Sequence, residues 1–262
     1  DVVATTTDNC TLAPTVSLSA TSFSCSEVGS NTITITATDG SGNSSTATKN
    51  VVVMDTISPS ITAPSAVTLS LGAGGSVTLP GNTASATDNC GATTLTYSET
   101  SFNCSDIGTT NVVVTATDAN GNDSEATIAV TVQDVTNPTL ALVSSGITLA
   151  LDANGSASLT TSQIVSSVSD NCSGVTVSVS PSSFGCSDLG SNTVTVTATD
   201  ASGNTTVQTG TVTVVDLIAP AITTVSSAVT TYLNGSGVAT ISQSDVVATT
   251  TDNCTLAPTV SL

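Results

Sequence analysis

A chain of 262 residues that sets 19 acidic side chains against one basic residue, with no His and no Trp, carries a formal charge of −18 at neutral pH. That balance excludes nucleic acid and anionic membrane as partners, since both are bound through Lys and Arg that neutralise phosphate, and it points to divalent cations or to solubility. Because 38% of the residues are hydrophobic and fall at strand spacing, the chain is a folded acidic protein and not an acidic disordered one.

Repetition organises everything else. Asp-Asn-Cys occurs at Asp8 to Cys10, Asp88 to Cys90, Asp170 to Cys172 and Asp252 to Cys254, in steps of 80, 82 and 82 residues. Residues 1–18 are identical to residues 245–262, so the set of three modules itself repeats with a period of 244. The expectation is a slice of a long tandem array that begins inside a module. The expected divisions are 1–55, the later part of a module; 56–134 and 135–216, two whole modules; and 217–262, the earlier part of another. No run of about 18 apolar residues is present to span a bilayer, and no signal peptide is visible, as befits a mid-array segment.

In chain order, the first segment ends in a β-hairpin. Ile33, Ile35 and Ala37 alternate with Thr, Asp39-Gly-Ser-Gly-Asn43 makes a turn, and Val51 and Val53 return to Asp55. The next module opens with Pro59 and Pro64, which fit a linker and an edge strand. Strands are then read at residues 66–71 and 76–80 around a Gly-rich turn, and at 94–99 after a polar stretch. Its hairpin returns Val112, Val114 and Ala116, the turn Asp118-Ala-Asn-Gly-Asn122, and Val130 and Val132 before Asp134. Residues 135–216 repeat the plan, with a short helical turn read at 162–168 and a hairpin from Val194 through Asp200 to Asp216. Six or seven short strands in roughly 80 residues predict an all-β chain of tandem antiparallel β-sandwich modules. Strands of this length make each module roughly 30 to 40 Å long and the chain a rod.

These residues carry a resemblance. The pattern Gly-x-x-x-(Val/Ile)-x-(Val/Ile)-x-Ala-Thr-Asp-x-x-Gly-Asn, then Val-x-Val-x-Asp and a Pro four residues on, resembles hyalin-repeat (HYR) modules, which are immunoglobulin-like extracellular domains. Gly108, Val112, Val114, Ala116, Thr117, Asp118, Gly121, Asn122, Val130, Val132, Asp134 and Pro138 stand at the matching positions. The near-identical copies, rich in Thr and Asp, are also similar to the giant repetitive SprB-like surface adhesins of gliding Bacteroidota. Many hyalin repeats have a Cys just after the Gly-Asn turn; this chain has none, so the family's usual pairing does not carry over.

The cysteines are therefore read locally. Cys10 and Cys25 lie 15 apart, and Cys90 and Cys104, like Cys172 and Cys186, lie 14 apart. Each pair brackets one strand and its return, which would bring both thiols to one rim. The expected disulfides are Cys10–Cys25, Cys90–Cys104 and Cys172–Cys186, each closing a loop that stabilises by roughly 3 kcal/mol, with Cys254 unpaired. Free buried thiols and a zinc site are the alternatives, and zinc needs clustered Cys or His spacings that are absent.

Phe23, Phe102 and Phe184 recur two residues before Cys and read as core anchors, leaving Tyr97 and Tyr232 as free aromatics, too few for a sugar-stacking platform. Catalysis is excluded by inventory: there is no His to act as a base, Lys49 is not repeated in other modules, and the acids lack a cleft.

The remaining acids define a candidate metal site. In an immunoglobulin-like sandwich the chain enters at the end bearing the final hairpin turn and leaves at the other. Asp134 should then approach Asp170 and Asp200, Asp55 should approach Asp88 and Asp118, and Asp216 should approach Asp252. Three carboxylates with Asn and backbone oxygens make an oxygen-only site of calcium type. The same Asp residues also read as turn formers that bond backbone amides.

Two functions fit the sequence. One is a structural segment of a long extracellular, cell-surface adhesin or filament, for attachment or gliding motility, partnered by neighbouring modules and other copies of the filament. The other is a module that binds a carbohydrate or protein receptor through its loops. Identical repetition favours the first, because length needs many copies of one part.

Overall fold

The computed structural model describes residues 5–9, 13–254 and 258–261. The chain divides into two compact units, residues 1–70 with 76–133, and residues 71–75 with 134–262.

The first unit starts with β1 (Thr15–Leu18), β2 (Gly29–Thr38) and β3 (Ser44–Val53), an antiparallel sheet with β2 in the centre. It continues with β4 (Ser60–Thr62), β5 (Ala66–Ser70), β6 (Ser76–Thr78), β7 (Ser85–Thr87), β8 (Thr94–Tyr97), β9 (Ser101–Asn103), β10 (Gly108–Thr117) and β11 (Asp123–Gln133). The strands β5-β11-β10-β8 form one sheet, in which β5 lies parallel to β11, while β4 pairs with β7 and β6 with β9. Period-two patterning decides which residues fill the sandwich: Val112, Val114, Ala116, Ile128, Val130 and Val132 face inward and are at most 1% exposed. Phe102 on β9 meets them from the other layer at 0% exposure.

The second unit repeats the arrangement with β12 (Thr139–Leu142), β13 (Ile147–Ala150), β14 (Ser156–Ser158), a helical turn α1 (Thr161–Ile164), β15 (Val165–Ser169), β16 (Thr176–Ser180), β17 (Ser183–Gly185), β18 (Gly190–Thr199) and β19 (Thr205–Val215). Here the large sheet is β13-β19-β18-β16, with β12 against β15 and β14 against β17. Val194, Val196, Ala198, Val212 and Val214 form its core with Ile164 and Phe184. Further on come β20 (Ala221–Thr224), α2 (Gln243–Val246) and β21 (Val247–Thr251), of which β20 pairs with β21. The fold is thus all-β, made of tandem immunoglobulin-like antiparallel sandwich modules. Among the described residues no helix is long and apolar enough to cross a membrane.

The short helix differs from its expected span. It closes at Ile164, whose side chain is 1% exposed in the core, and residues 165–169 pair with β12 instead of continuing the helix.

Strand direction corrects the expected disulfides. Thr94 on β8 faces Thr117 at the turn end of β10, whereas Gly108, close after Cys104, faces Val132 at the other end. From Cys90 to Cys104 the chain therefore travels the length of the sandwich and does not come back. Ten residues of β10 span about 33 Å, far beyond the roughly 4.4–6.8 Å between Cα atoms that a disulfide allows. The bonds are instead Cys25–Cys90, with Cα atoms 5.1 Å apart, and Cys186–Cys254, at 5.2 Å. These bonds rule out the expected pairs Cys10–Cys25, Cys90–Cys104 and Cys172–Cys186, and Cys254 is not free. Cys104 and Cys172 are disulfide-bonded as well. Cys10 lies outside the described residues.

Candidate functional site

Each hairpin turn is built around an aspartate. The N–H groups of Asn120 and Asn122 donate to Asp118 Oδ1, both at 2.8 Å, and Asn122 Nδ2 donates to Oδ2 at 2.7 Å. Asp200 repeats this with Ser202 and Asn204, and Asp39 with Ser41 and Asn43. Gly121 and Gly203 hold φ of 89° and 91°, a conformation that favours glycine, so the Gly-Asn pair is a backbone requirement of the turn. Burial pushes the carboxyls of Asp118 and Asp200 up, but the amides of Asn122 and Asn204 and the backbone N–H groups outweigh it and hold both below the ordinary carboxylate value.

The Asp-Asn-Cys tripeptide does three separate jobs. Its Asp bonds the N–H of its Cys with one oxygen, at 2.8 Å for Asp88 and 3.0 Å for Asp170, and the other oxygen of each is buried with no hydrogen-bond partner. Its Asn reaches the aspartate that ends the preceding hairpin: Asn89 Nδ2 donates to Asp55 Oδ1 at 3.3 Å, and Asn171 Nδ2 to Asp134 Oδ1 at 3.1 Å. Asn171 also donates to the carbonyl of Gly72, and Asn253 to that of Asp152, so the same amide holds a preceding strand-to-strand turn. Its Cys bonds to the 3-10 turn that begins at Cys25 or Cys186.

The hairpin-turn and tripeptide aspartates meet at the hairpin-ending aspartate. Asp55, Asp88 and Asp118 each offer a carboxylate oxygen within 4.8 Å of the others, and so do Asp134, Asp170 and Asp200. Asn122 and Asn204 add donors to the main-chain carbonyls of Asp55 and Asp134, at 3.3 and 3.2 Å. Asp134 is 6% exposed; its Oδ1 accepts from Thr136 and Asn171, while its Oδ2 is buried and unpartnered. The structure thus brings together both expected groups of three acids. Asp216 and Asp252 keep their local roles, accepting from Ile218 and Cys254, and no third acid joins them among the described residues.

These sites fit a hard cation. Oxygens bound to one calcium at roughly 2.4 Å lie no more than about 4.8 Å apart, and calcium takes oxygen ligands of this kind. Without a cation, buried carboxylate oxygens lacking a donor cost about 1–3 kcal/mol each, and the chain's single basic residue cannot serve both groups.

Of the two tyrosines expected to be free aromatics, Tyr232 is free and Tyr97 is not. Tyr97 donates its hydroxyl to Gly81 O and accepts from Ala84 N–H, both at 3.1 Å, which ties down a loop; Tyr232 is 84% exposed. Phe102 and Phe184 are the core anchors expected, but Phe23 stays only half-buried. The sequence reading missed the Asn of each tripeptide and the 3-10 turns. A sequence cue existed for the turns: Ser24 to Glu27 is a Ser-x-x-Glu capping box, and Asp106 and Asp188 accept N–H groups of Asn103 and Gly185 in the same way.

No protein-family model and no curated protein matches the chain. Among solved structures it is similar to PcdhgB3 EC1-4, at 12% identity and a TM-score of 0.34, covering 81% of this chain and 66% of that one. Human CDH23 EC21-23 overlaps at 17% identity and TM-score 0.35, covering 71% and 74%. Sidekick-1 immunoglobulin domains 1-5 overlap at 11% identity and TM-score 0.35, covering 82% of this chain and 56% of that one. The chain's own strand pairing, and not these overlaps, defines its modules as immunoglobulin-like.

Proposed function

We propose that the chain is a structural repeat segment of a long extracellular, cell-surface adhesin or filament, built of HYR-like modules whose joints are fixed by calcium and by disulfides. In this reading, residues 56–134 and 135–216 are whole modules, and 1–55 and 217–262 are complementary parts. The partners are neighbouring modules of the array and other copies of the filament, and the SprB-like adhesins of gliding bacteria are the kind of parent it fits. The observation that carries this is the acid group Asp134, Asp170 and Asp200, with Asp134 Oδ2 and Asp170 Oδ1 buried and unpartnered. A residue that ends one hairpin, a residue of the following Asp-Asn-Cys loop and a hairpin turn further on converge there. A cation bound at such a point removes freedom between successive parts of the chain, which is what a stalk needs and a single receptor site does not.

Electron microscopy of the native array tests the reading. A beaded thread of fixed axial repeat that stiffens in calcium and softens in chelator supports it; compact particles, or a thread indifferent to chelator, overturn it.

A further inference from the structure

The two groups of three acids are built from matching positions, yet their surroundings differ at one residue. In the hairpin turn of Asp118 the second place after the aspartate is Asn120, and in the turn of Asp200 it is Ser202. Both residues give their N–H to Oδ1 of the turn aspartate, at 2.8 and 2.9 Å, so the turn has the same backbone bond with either side chain. Only Asn120 reaches further: its Nδ2 donates to Asp55 Oδ2 at 3.2 Å.

That amide changes the condition of the hairpin-ending carboxylate. Asp55 accepts at both oxygens, from the Ile57 N–H and Asn89 at Oδ1 and from Asn120 at Oδ2. Asp134 accepts from the Thr136 N–H and Asn171 at Oδ1, but its Oδ2 is buried without a donor in a residue only 6% exposed. The Asp134 group therefore holds two bare buried oxygens, Asp134 Oδ2 and Asp170 Oδ1, where the Asp55 group holds one, Asp88 Oδ1. Asp55 is also less buried than Asp134.

A cation gains most where the folded chain leaves carboxylate oxygens dry and unbonded, because their desolvation has already been met in folding. Attraction between unlike charges is also stronger where water is excluded. At Asp55 Oδ2 the ion must instead displace an amide that already bonds the oxygen.

We propose that Asn120 sets the order in which the two groups take calcium: the group of Asp134, Asp170 and Asp200 fills first, and the group of Asp55, Asp88 and Asp118, capped by Asn120, fills at higher calcium. The proposal rests on the calcium reading above and adds that one turn position grades the joints of the array, those with Ser binding at lower calcium than those with Asn. One hydrogen bond of this kind corresponds to a difference of about three- to tenfold in dissociation constant.

Titration calorimetry of calcium into the oxidised, calcium-stripped 262-residue protein tests this, with each group measured alone. Asp170→Asn leaves the Asp55 group as the binding site, and adding Asn120→Ser should tighten it about three- to tenfold. Asp88→Asn leaves the Asp134 group, and adding Ser202→Asn, which supplies the missing amide, should weaken it by a similar factor. Positions 120 and 202 are exposed and keep their backbone bond, so circular dichroism should show these variants folded. Swaps that leave both affinities unchanged overturn the proposal while the calcium reading stands. A weaker site in Asn120→Ser also overturns it, since the amide would then be turned over with its oxygen on the ion. If neither single-group protein nor the wild type binds calcium, the calcium reading fails and this proposal with it.

Discussion

Asn253 donates its side-chain amide to the carbonyl of Asp152 at 3.1 Å, across a separation of 101 residues. Its own carbonyl lies 3.3 Å from Cys186 Sγ, the atom bonded to the neighbouring Cys254. One tripeptide thus clasps a turn and a staple at once, and the staple closes a loop of 68 residues. In the chain-entropy treatment such a closure stabilises by about 4 kcal/mol. Peptide mapping without reduction should recover Cys25 joined to Cys90 and Cys186 joined to Cys254, and Cys186→Ser with Cys254→Ser should loosen residues 217–254 while the core of β18 and β19 keeps its protection from hydrogen exchange. Recovery of a Cys90–Cys104 or Cys172–Cys186 peptide would contradict the structure.

Gly155 sits under that clasp. A Cβ there would meet Asn253 O and Cys186 Sγ, each at 2.7 Å, and its φ is +72°. Gly237 has nearly the same φ, +76°, but open space around it. Gly155→Ala should therefore destabilise by about 2–4 kcal/mol, combining backbone strain with the clash, and Gly237→Ala by only about 1 kcal/mol. Urea unfolding of the two variants gives the comparison, and equal losses would show that the close approach to the disulfide is not real.

The hairpins were legible because period two and an Asp-x-x-Gly-Asn turn are both local. The meeting of Asp134, Asp170 and Asp200 was legible once the path of an immunoglobulin-like chain was assumed, since that path alone fixes which ends adjoin. The cysteine pairing was not legible. It depended on whether the chain turns back between Cys90 and Cys104, and the three-residue strand Ser101–Asn103 that carries it onward is too short to show a period. The Asn of Asp-Asn-Cys was overlooked because two of its partners, the carbonyls of Gly72 and Asp152, lie about 100 residues away and carry no side-chain signal, and because the others, Asp55 and Asp134, were read as metal ligands and not as acceptors for an amide.

Acid should weaken the turns that lie outside the metal groups. Amides of Asn43 hold the Asp39 carboxyl below the ordinary value, and the N–H groups of Ser156 and Asn154 do the same for Asp152. A depressed carboxyl contributes stability that is complete above its unfolded pKa of about 4 and is lost as pH falls through the lower folded value. Denaturant unfolding in calcium should thus show a plateau from neutral pH down to about 5 and a decline below about 4. Asp39→Asn and Asp152→Asn should each flatten that decline, and a stability that rises on acidification would refute the assignment.

Calcium should raise the melting temperature, because it binds the folded groups and not the unfolded chain. At one hundred times its dissociation constant a ligand adds about 2.7 kcal/mol per site, which for a chain of this size is roughly 5–10 °C. Chelator should reverse the shift. Asp170→Asn keeps an oxygen for the N–H of Cys172 but removes one charge from the group with Asp134 and Asp200, so it should abolish about half of the calcium-dependent shift and one of two sites by titration calorimetry. Asp88→Asn should do the same for the group with Asp55 and Asp118, and the exposed Asp123→Asn, outside both groups, should leave the shift intact. Should the wild type melt at one temperature in calcium and in chelator, the carboxylates serve only as local acceptors for their turns, and the unpartnered oxygens of Asp88, Asp134 and Asp170 require another explanation.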